Sequence, residues 1–198
     1  MNNRKLIFFI GTAGSGKSYI AKQLAALVDA DYIASGDIAR SLPGAQKDLA
    51  AGGLYHDDTP ILRGVVDFIT DPKRAAGMII DGVPRNENQV HWLIKFSNEN
   101  DYDWMIVYVD AHLGTRMRRI LARARDVHDG HTTVVKRLSQ DLLEMTKVYD
   151  LCEAVFTSDR MLRLVSEKDG DTTAEIAAIM DRMHGITTET LMEEKGEA

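Results

Sequence analysis

Short apolar runs alternate along this chain with helix-length segments. Each run is apolar without strict alternation, which is typical of parallel strands that helices cover on both faces. The pattern therefore predicts an α/β fold, a five-stranded parallel sheet with flanking helices. The predicted strands are Lys5–Ile10, Asp31–Ala34, Met78–Asp81, Met105–Val109 and Leu162–Val165. The predicted helices are Lys17–Val28, Thr59–Ile69, Asn88–Asn98, Gly114–Arg125, Thr132–Tyr149 and Thr172–His184.

Size and charge limit the classes of function. The 198 residues correspond to one domain, at about 100–200 residues per domain. The 24 basic and 30 acidic side chains give a net charge of −6, which disfavours nucleic acid and anionic membranes as partners. No apolar run approaches the ~20 residues that span a bilayer. The single cysteine, Cys152, excludes an internal disulfide and suits a reducing compartment. We expect a cytoplasmic monomer.

A glycine-rich segment follows the first predicted strand. Its sequence, Gly11-Thr-Ala-Gly-Ser-Gly16-Lys17-Ser18, fits G-x-x-x-x-G-K-[ST] at every fixed position. The glycines let successive backbone N–H groups turn around a phosphate, and the following helix directs its N-terminus at the same anion. Lys17 would bridge the β- and γ-phosphates, and the Ser18 hydroxyl would ligate Mg²⁺. The segment predicts nucleoside triphosphate binding but leaves the phosphate acceptor open, since such loops serve motors, GTPases and kinases alike.

Two further segments follow the second and third predicted strands. They read Ser35-Gly-Asp-Ile-Ala-Arg40 and Asp81-Gly-Val-Pro-Arg-Asn-Glu-Asn-Gln89. With the glycine-rich loop they form three ordered motifs that resemble the adenylate kinase family of nucleoside monophosphate kinases, over nearly the whole chain. The resemblance implies one P-loop kinase domain with a core at 1–34, 70–123 and 134–198, a small monophosphate-binding insertion at 35–69 and a short lid at 124–133. It also implies Mg²⁺-dependent transfer, ATP + AMP ⇌ 2 ADP.

The resemblance also assigns an acceptor site. Arg40 and Arg85 would hold the α-phosphate of AMP, which suits the planar fork of guanidinium. Gln89 would read adenine by donating to N1 and accepting from the 6-amino group. Asp37 and Asp81 would orient waters around the Mg²⁺ that Ser18 ligates. The full acceptor set is Ser35, Gly36, Arg40, Gly53, Leu54, Tyr55, Gly82, Arg85 and Gln89.

The donor site is expected to combine the loop with an arginine cluster. The pattern Arg119-Ile-Leu-Ala-Arg123 resembles the family segment in which one arginine contacts the donor adenine and the next its phosphates. Arg125 and Arg137 are the expected lid arginines, and Gly170 lies in a turn that resembles the family's adenine-flanking turn. The ATP-binding set is Gly11, Ala13, Gly14, Ser15, Gly16, Lys17, Ser18, Tyr19, Arg119, Arg123 and Gly170. The catalytic charges would come from Lys17, Arg85, Arg123, Arg125 and Arg137.

Two alternatives stay open. Pro84-Arg85-Asn86 and Trp92 resemble the uridylate–cytidylate branch of the same superfamily, which carries Asn at the position of Gln89, so UMP, CMP or a deoxynucleotide is the second candidate acceptor. A more distant alternative is a P-loop ATPase that acts as an assembly factor or switch. The acceptor motifs disfavour it, because a switch needs no second nucleotide pocket.

Overall fold

The computed structural model describes residues 5–43, 58–74, 77–123 and 131–193, without the side chains of residues 123, 131–137 and 184–193. Within them lie five strands, all parallel: β1 Lys5–Ile10, β2 Asp31–Ala34, β3 Gly77–Asp81, β4 Asp103–Asp110 and β5 Met161–Val165. The order across the sheet is β2-β3-β1-β4-β5. The predicted five-stranded parallel sheet is confirmed.

The strands are joined by helices, as connections between parallel strands require. The described helices are α1 Lys17–Leu27, α2 Ser35–Ser41, α3 Thr59–Thr70, α4 Glu87–Glu99, α5 Leu113–Arg123, α6 His131–Val155 and α7 Thr173–Glu193. A 3₁₀ turn at Ser158–Arg160 leads into β5. The sequence pattern missed α2, and α6 continues six residues beyond the predicted end at Tyr149. Helix α6 also begins at His131, inside the segment predicted as lid.

Each central strand contributes to two cores, because alternate side chains point to opposite faces. On one face, Leu6, Phe8 and Ile10 of β1 pack with residues of α3, α4 and α6. On the other, Ile7 and Phe9 pack with residues of α1 and α7. All five side chains are at most 3% exposed, which explains the unbroken apolar runs in the sequence.

Two residues considered for function belong to the first core. Cys152 is fully buried, and burial raises the pKa of its thiol to about 12, in keeping with a structural rather than reactive cysteine. Trp92 is partly buried against the same core and stacks on Phe96, with ring centroids 5.2 Å apart. Packing therefore accounts for Trp92.

Candidate active site

The loops that carry the predicted motifs meet at one edge of the sheet. Parallel strands end on the same side, and ligands of such sheets bind there, where the chain switches direction across the sheet. Here β1 has β3 on one side and β4 on the other, so its loop lies at the switch. The ladder continues past the strands, since Gly82 N–H donates to Phe9 O and Ser166 N–H to Asp110 O, each at 2.8 Å. The loop after β3 is thereby held beside the end of β1, and the loop after β5 beside the end of β4.

The loop after β1 is shaped by close backbone contacts. Gly11 has φ +142°, and a Cβ there would overlap the carbonyl oxygen of Val109. Gly14 has φ +78°, and its Cβ would lie 2.7 Å from the carbonyl oxygen of Arg116. Both positions require glycine for backbone conformation and for space. Helix α1 begins directly afterwards at Lys17, so its N-terminus faces the loop as a phosphate site requires.

Arg119 joins this loop to the loop after β5. Its Nη1 donates to Ser15 O and Ser166 O, both at 3.0 Å, and to Gly14 O at 3.3 Å. Its Nη2 donates to Lys168 O at 3.1 Å and its Nε to Asp169 at 2.6 Å. These bonds, and the one from Arg118, hold the pKa of Asp169 below its ordinary value. The predicted donor arginine is therefore also a cross-link between two loops of the site.

The buried polar side-chain atoms that lack a hydrogen-bond partner in the described structure lie around this loop. They are Thr12 Oγ1, Ser15 Oγ, Asp81 Oδ1, and Nε and Nη1 of Arg116. Thr12 and Ser15 belong to the loop, Arg116 contacts Gly14 through its backbone, and Asp81 ends the neighbouring strand β3. Buried polar groups are normally paired, so their concentration here indicates a site that a polar ligand completes.

Tyr32 links the two residues expected nearest a metal ion. Its hydroxyl donates to Asp81 Oδ2 at 2.8 Å, and the neighbouring Ser18 side chain acts to lower the pKa of the same hydroxyl. Burial and the Asp81 carboxylate raise the pKa of Tyr32, so the hydroxyl stays protonated. Asp81 is 4% exposed, and its free Oδ1 is an acceptor for a metal-bound water. Ser18 and Asp81 thus fit Mg²⁺ bound largely through water and phosphate.

The predicted acceptor residues after β2 are held by local bonds. Ser35 donates to Gly82 O at 2.8 Å, which ties the start of α2 to the loop after β3. Gly82 has φ +85°, and a Cβ on it would lie 2.6 Å from Ser35 Oγ. Asp37 and Arg40 form an exposed ion pair along α2. Each of these two predicted ligand-binding side chains therefore has the other as its partner.

Gln89 lies in a buried hydrogen-bond network. Its Nε2 donates to Asp58 Oδ1 at 2.7 Å, and its Oε1 accepts from Arg85 N–H at 2.8 Å. Asp58 also accepts from Asn86 Nδ2 at 2.7 Å, and Asn86 caps α4 by accepting from Gln89 N–H at 2.9 Å. A carboxylate accepts only from the amide NH₂ and a backbone N–H donates only to the amide oxygen. The partners of Gln89 therefore fix the orientation of its amide.

Arg85 faces the loop after β1 across a carboxylate. Its Nη2 lies 3.7 Å from Asp141 Oδ1 on α6, and Asp141 Oδ2 accepts from Ala13 N–H at 2.5 Å. The Arg85 side chain is 34% exposed, so it borders an open part of the site. The predicted donor loop and the predicted acceptor arginine thus lie on either side of a single carboxyl group.

The remaining predicted residues divide into three groups. Gly53, Leu54, Tyr55 and Arg125 lie outside the described residues. Arg123 ends α5 and Arg137 lies near the start of α6, and their side chains also fall outside the description. Tyr19 is 44% exposed on α1, and Gly170 is exposed in the turn after β5 with φ +82°. Their roles stay predictions.

Sequence reasoning missed Tyr32, Asp58 and Asp141. Each contacts a predicted site residue that is distant in the chain. For Asp141 one signal was present, because it interrupts the buried stripe Leu138, Met145, Val148 and Cys152 on α6. An acid on such a stripe needs a polar partner, but the sequence does not say which.

Two structural features are absent from the described residues. No group of three or more His, Cys, Asp or Glu side chains among them is arranged to hold a metal ion. No helix among them is long and apolar enough to cross a membrane.

Comparison with known proteins gives consistent relatives. A family model described as an AAA domain matches residues 10–136. An adenylate kinase of Mesomycoplasma hyopneumoniae is 34% identical over 102 residues, and the match covers 48% of each chain, so this chain spans about half of that relative's length. An adenylate kinase of Thermosynechococcus vestitus is 32% identical over 166 residues, covering 73% of this chain and 83% of the relative. Adenylate kinase isoenzyme 1 of Sus scrofa is 27% identical over 149 residues, covering 70% and 75%.

Proposed function

The chain belongs to the adenylate kinase family of P-loop nucleoside monophosphate kinases, and on that premise we propose that it catalyses ATP + AMP ⇌ 2 ADP. One observation carries the proposal. The amide of Ala13 in the phosphate loop and the guanidinium of Arg85 contact the same carboxylate. A donor phosphate on the loop and an acceptor phosphate on Arg85 would therefore be close enough for direct transfer.

The donor would bind through backbone and cation together. The loop amides and the N-terminus of α1 attract the phosphates, and Lys17 at the start of α1 neutralises their charge. Arg119 lies against the loop and the turn after β5. There its side chain would form one edge of the binding site for the donor base. Ser18 and Asp81 would hold Mg²⁺, directly and through water; when bound, this ion neutralises charge on the donor phosphates.

The transfer itself needs no covalent intermediate. A phosphoryl group passes in line between two nucleotides, so the protein has to position them and stabilise the charge that develops on the transferring oxygens. Arg85 would carry out this task, and the further candidates are Arg123 from α5, Arg125 from the lid segment and Arg137 from α6. A lid at 124–133 that closes over both nucleotides would exclude water and suppress hydrolysis of ATP.

The preference for AMP would depend on Gln89. Its amide has one N–H and one lone pair left after its bonds to Asp58 and Arg85, and these match adenine N1 and the 6-amino group. Because Asp58 fixes the orientation of the amide, the donor and acceptor ends are already distinguished before the base arrives. Arg40 would exchange its exposed partner Asp37 for the acceptor phosphate. We propose a monomer, since both nucleotide sites are assigned within one chain.

A coupled assay of ADP production tests the proposal. Mg·ATP is supplied with AMP, dAMP, CMP, UMP or GMP in turn, and Lys17→Ala serves as the inactive control. We expect rapid ADP formation with AMP and little with the other acceptors. Activity with CMP or UMP instead would still indicate a nucleoside monophosphate kinase, but it would contradict the proposed role of Gln89 in recognising adenine. ATP hydrolysis that is independent of every monophosphate would contradict a kinase and favour an ATPase.

A further inference from the structure

Asp141 is an acidic residue that contacts both the phosphate loop and Arg85. It lies on the inward face of α6 between the buried residues Leu138 and Met145, and its side chain is 19% exposed. One of its oxygens accepts from the Ala13 amide of the phosphate loop at 2.5 Å, and the other lies 3.7 Å from Arg85. A carboxylate on a helix face lined by apolar residues needs such partners.

The two partners of Asp141, a backbone N–H of the loop and a guanidinium group, are also the groups that bind a phosphate. Loops of this kind hold anions through backbone N–H groups, and guanidinium binds carboxylate and phosphate with the same fork of donors. The contact requires a backbone N–H at position 13, which Ala13 supplies and a proline would lack. A carboxylate and a phosphate oxygen cannot both occupy the position between Ala13 and Arg85, and their like charges repel at that distance.

We propose that Asp141 is an internal surrogate of the transferred phosphoryl group. Its carboxylate occupies the position between the donor loop and the acceptor arginine, and nucleotide phosphates displace it when they bind. The inference rests on the proposed function for the role of Arg85, and on the loop alone for the role of Ala13. Asp141 is thus a residue that lowers nucleotide affinity by competing with a phosphate for the same partners.

The effect on affinity follows from competition. A ligand that binds only the displaced state has its apparent affinity reduced by the fraction of protein in that state, so a contact formed about nine-tenths of the time weakens binding about tenfold. The surrogate contact is weakened when the charge of Asp141 is removed, because a neutral amide oxygen accepts less strongly from Ala13 and does not attract Arg85, so binding becomes tighter. Ordinary positioning of Arg85 by Asp141 predicts the opposite, a weaker or unchanged affinity in the variant.

Binding of ATP and of inorganic tripolyphosphate to the full chain tests the proposal by titration calorimetry. Asp141→Asn keeps the shape and removes the charge, and Asp141→Ala removes the side chain. Asp150→Asn is the matched control, because Asp150 is exposed on the same helix. We expect roughly tenfold tighter binding of both probes to the two Asp141 variants. We expect wild-type binding to the control.

Equal or weaker binding of both probes to Asp141→Asn overturns the surrogate. A second measurement does not depend on any variant's affinity. In ¹H–¹⁵N spectra of the wild-type protein, the Ala13 amide should shift when tripolyphosphate is added, and Asp141→Asn should shift the same resonance without the probe. An Ala13 resonance that is indifferent to the substitution also overturns the proposal. Neither outcome bears on AMP phosphorylation by the wild type, which decides the proposed function separately.

Discussion

The predicted donor and acceptor sides of the site are built in different ways. On the donor side, main-chain atoms meet main-chain atoms or Arg119, and glycines at positions 11 and 14 allow the approach. On the acceptor side, side chains bind one another, as in the pairs Asp58–Gln89 and Asp37–Arg40. A site built from main-chain atoms depends on a few glycine residues and keeps its shape when other side chains are substituted. A site built from side chains can change its specificity by single substitutions.

The largest effect is expected where the two sides meet, at Arg85. Arg85→Ala should lower turnover roughly 10²–10³-fold, since a positioned charge is lost from the transition state. Stability should change by less than about 1 kcal/mol, because the ion pair with Asp141 is partly exposed and long at 3.7 Å. The coupled ADP assay and urea unfolding measure the two quantities.

Arg63→Ala is the control for Arg85, since Arg63 is an exposed arginine on α3. It should leave both turnover and stability near wild type. Wild-type turnover in Arg85→Ala would remove Arg85 from the transfer step and with it the meeting point of the two sides.

A pair of glycine substitutions compares the two constructions directly. Gly14→Ala should destabilise the protein by about 1–3 kcal/mol, because it strains a left-handed residue against Arg116 backbone. Gly36→Ala should be neutral or stabilise by up to about 1 kcal/mol, since Gly36 is helical and its Cβ would meet only the flexible end of Arg40, at 3.3 Å. Denaturant unfolding of both variants gives the comparison, and equal losses would contradict it.

The next effect concerns the acceptor base alone. Asp58→Asn removes the charge that accepts from Gln89 and Asn86, so we expect the KM for AMP to rise roughly tenfold, the loss of one charge-assisted hydrogen bond. The KM for ATP should stay unchanged. Asp67→Asn, an exposed acid on α3, is the control. A parallel rise in the KM values for AMP and for ATP would contradict a role of Asp58 that is confined to the acceptor side.

The smallest effect is a pH dependence on the donor side. The bonds from Arg119 and Arg118 lower the pKa of Asp169 below its ordinary value of 3.8. A lowered carboxyl pKa stabilises the fold above the ordinary value, and that contribution is lost as the pH falls through the folded-state pKa. Wild-type stability should therefore decrease more steeply below about pH 4 than that of Asp169→Asn.

Urea unfolding of both proteins across this range measures the difference in slope. Asp181→Asn, an exposed acid on α7, should follow the wild-type curve. Identical slopes for wild type and Asp169→Asn would show that the ion pairs of Asp169 with Arg118 and Arg119 add nothing to stability.

The sequence predicted those elements whose causes are local. Unbroken apolar runs located all five strands, but β4 extends to Asp103 and Asp110 because its polar ends carry no apolar signal. Helix α2 was missed since its seven residues, SGDIARS, are too few to show an apolar period. The glycine-rich loop could be recognised because its glycines and Lys17 recur at a fixed spacing within one short segment, although the backbone that Gly11 and Gly14 approach, at Val109 and Arg116, is distant in the chain.

The missed site residues have distant partners. Tyr32 binds Asp81 across 49 residues, Gln89 binds Asp58 across 31, and Ala13 binds Asp141 across 128. Such contacts arise from the order of the strands and the placement of α6 over the sheet, which no short motif specifies. The division into core, insertion and lid, and the roles of Arg123, Arg125 and Arg137, stay predictions.

The two cores of the sheet have a mechanical consequence. Helices α3, α4 and α6, with the acceptor residues and Asp141, rest on one core, whereas α1, which follows the phosphate loop, rests with α7 on the other. The sheet therefore lies between these two layers of helices. A displacement of α3 and α4 would therefore disturb the packing of the first core and leave the packing beneath α1, on the opposite face of the sheet, intact.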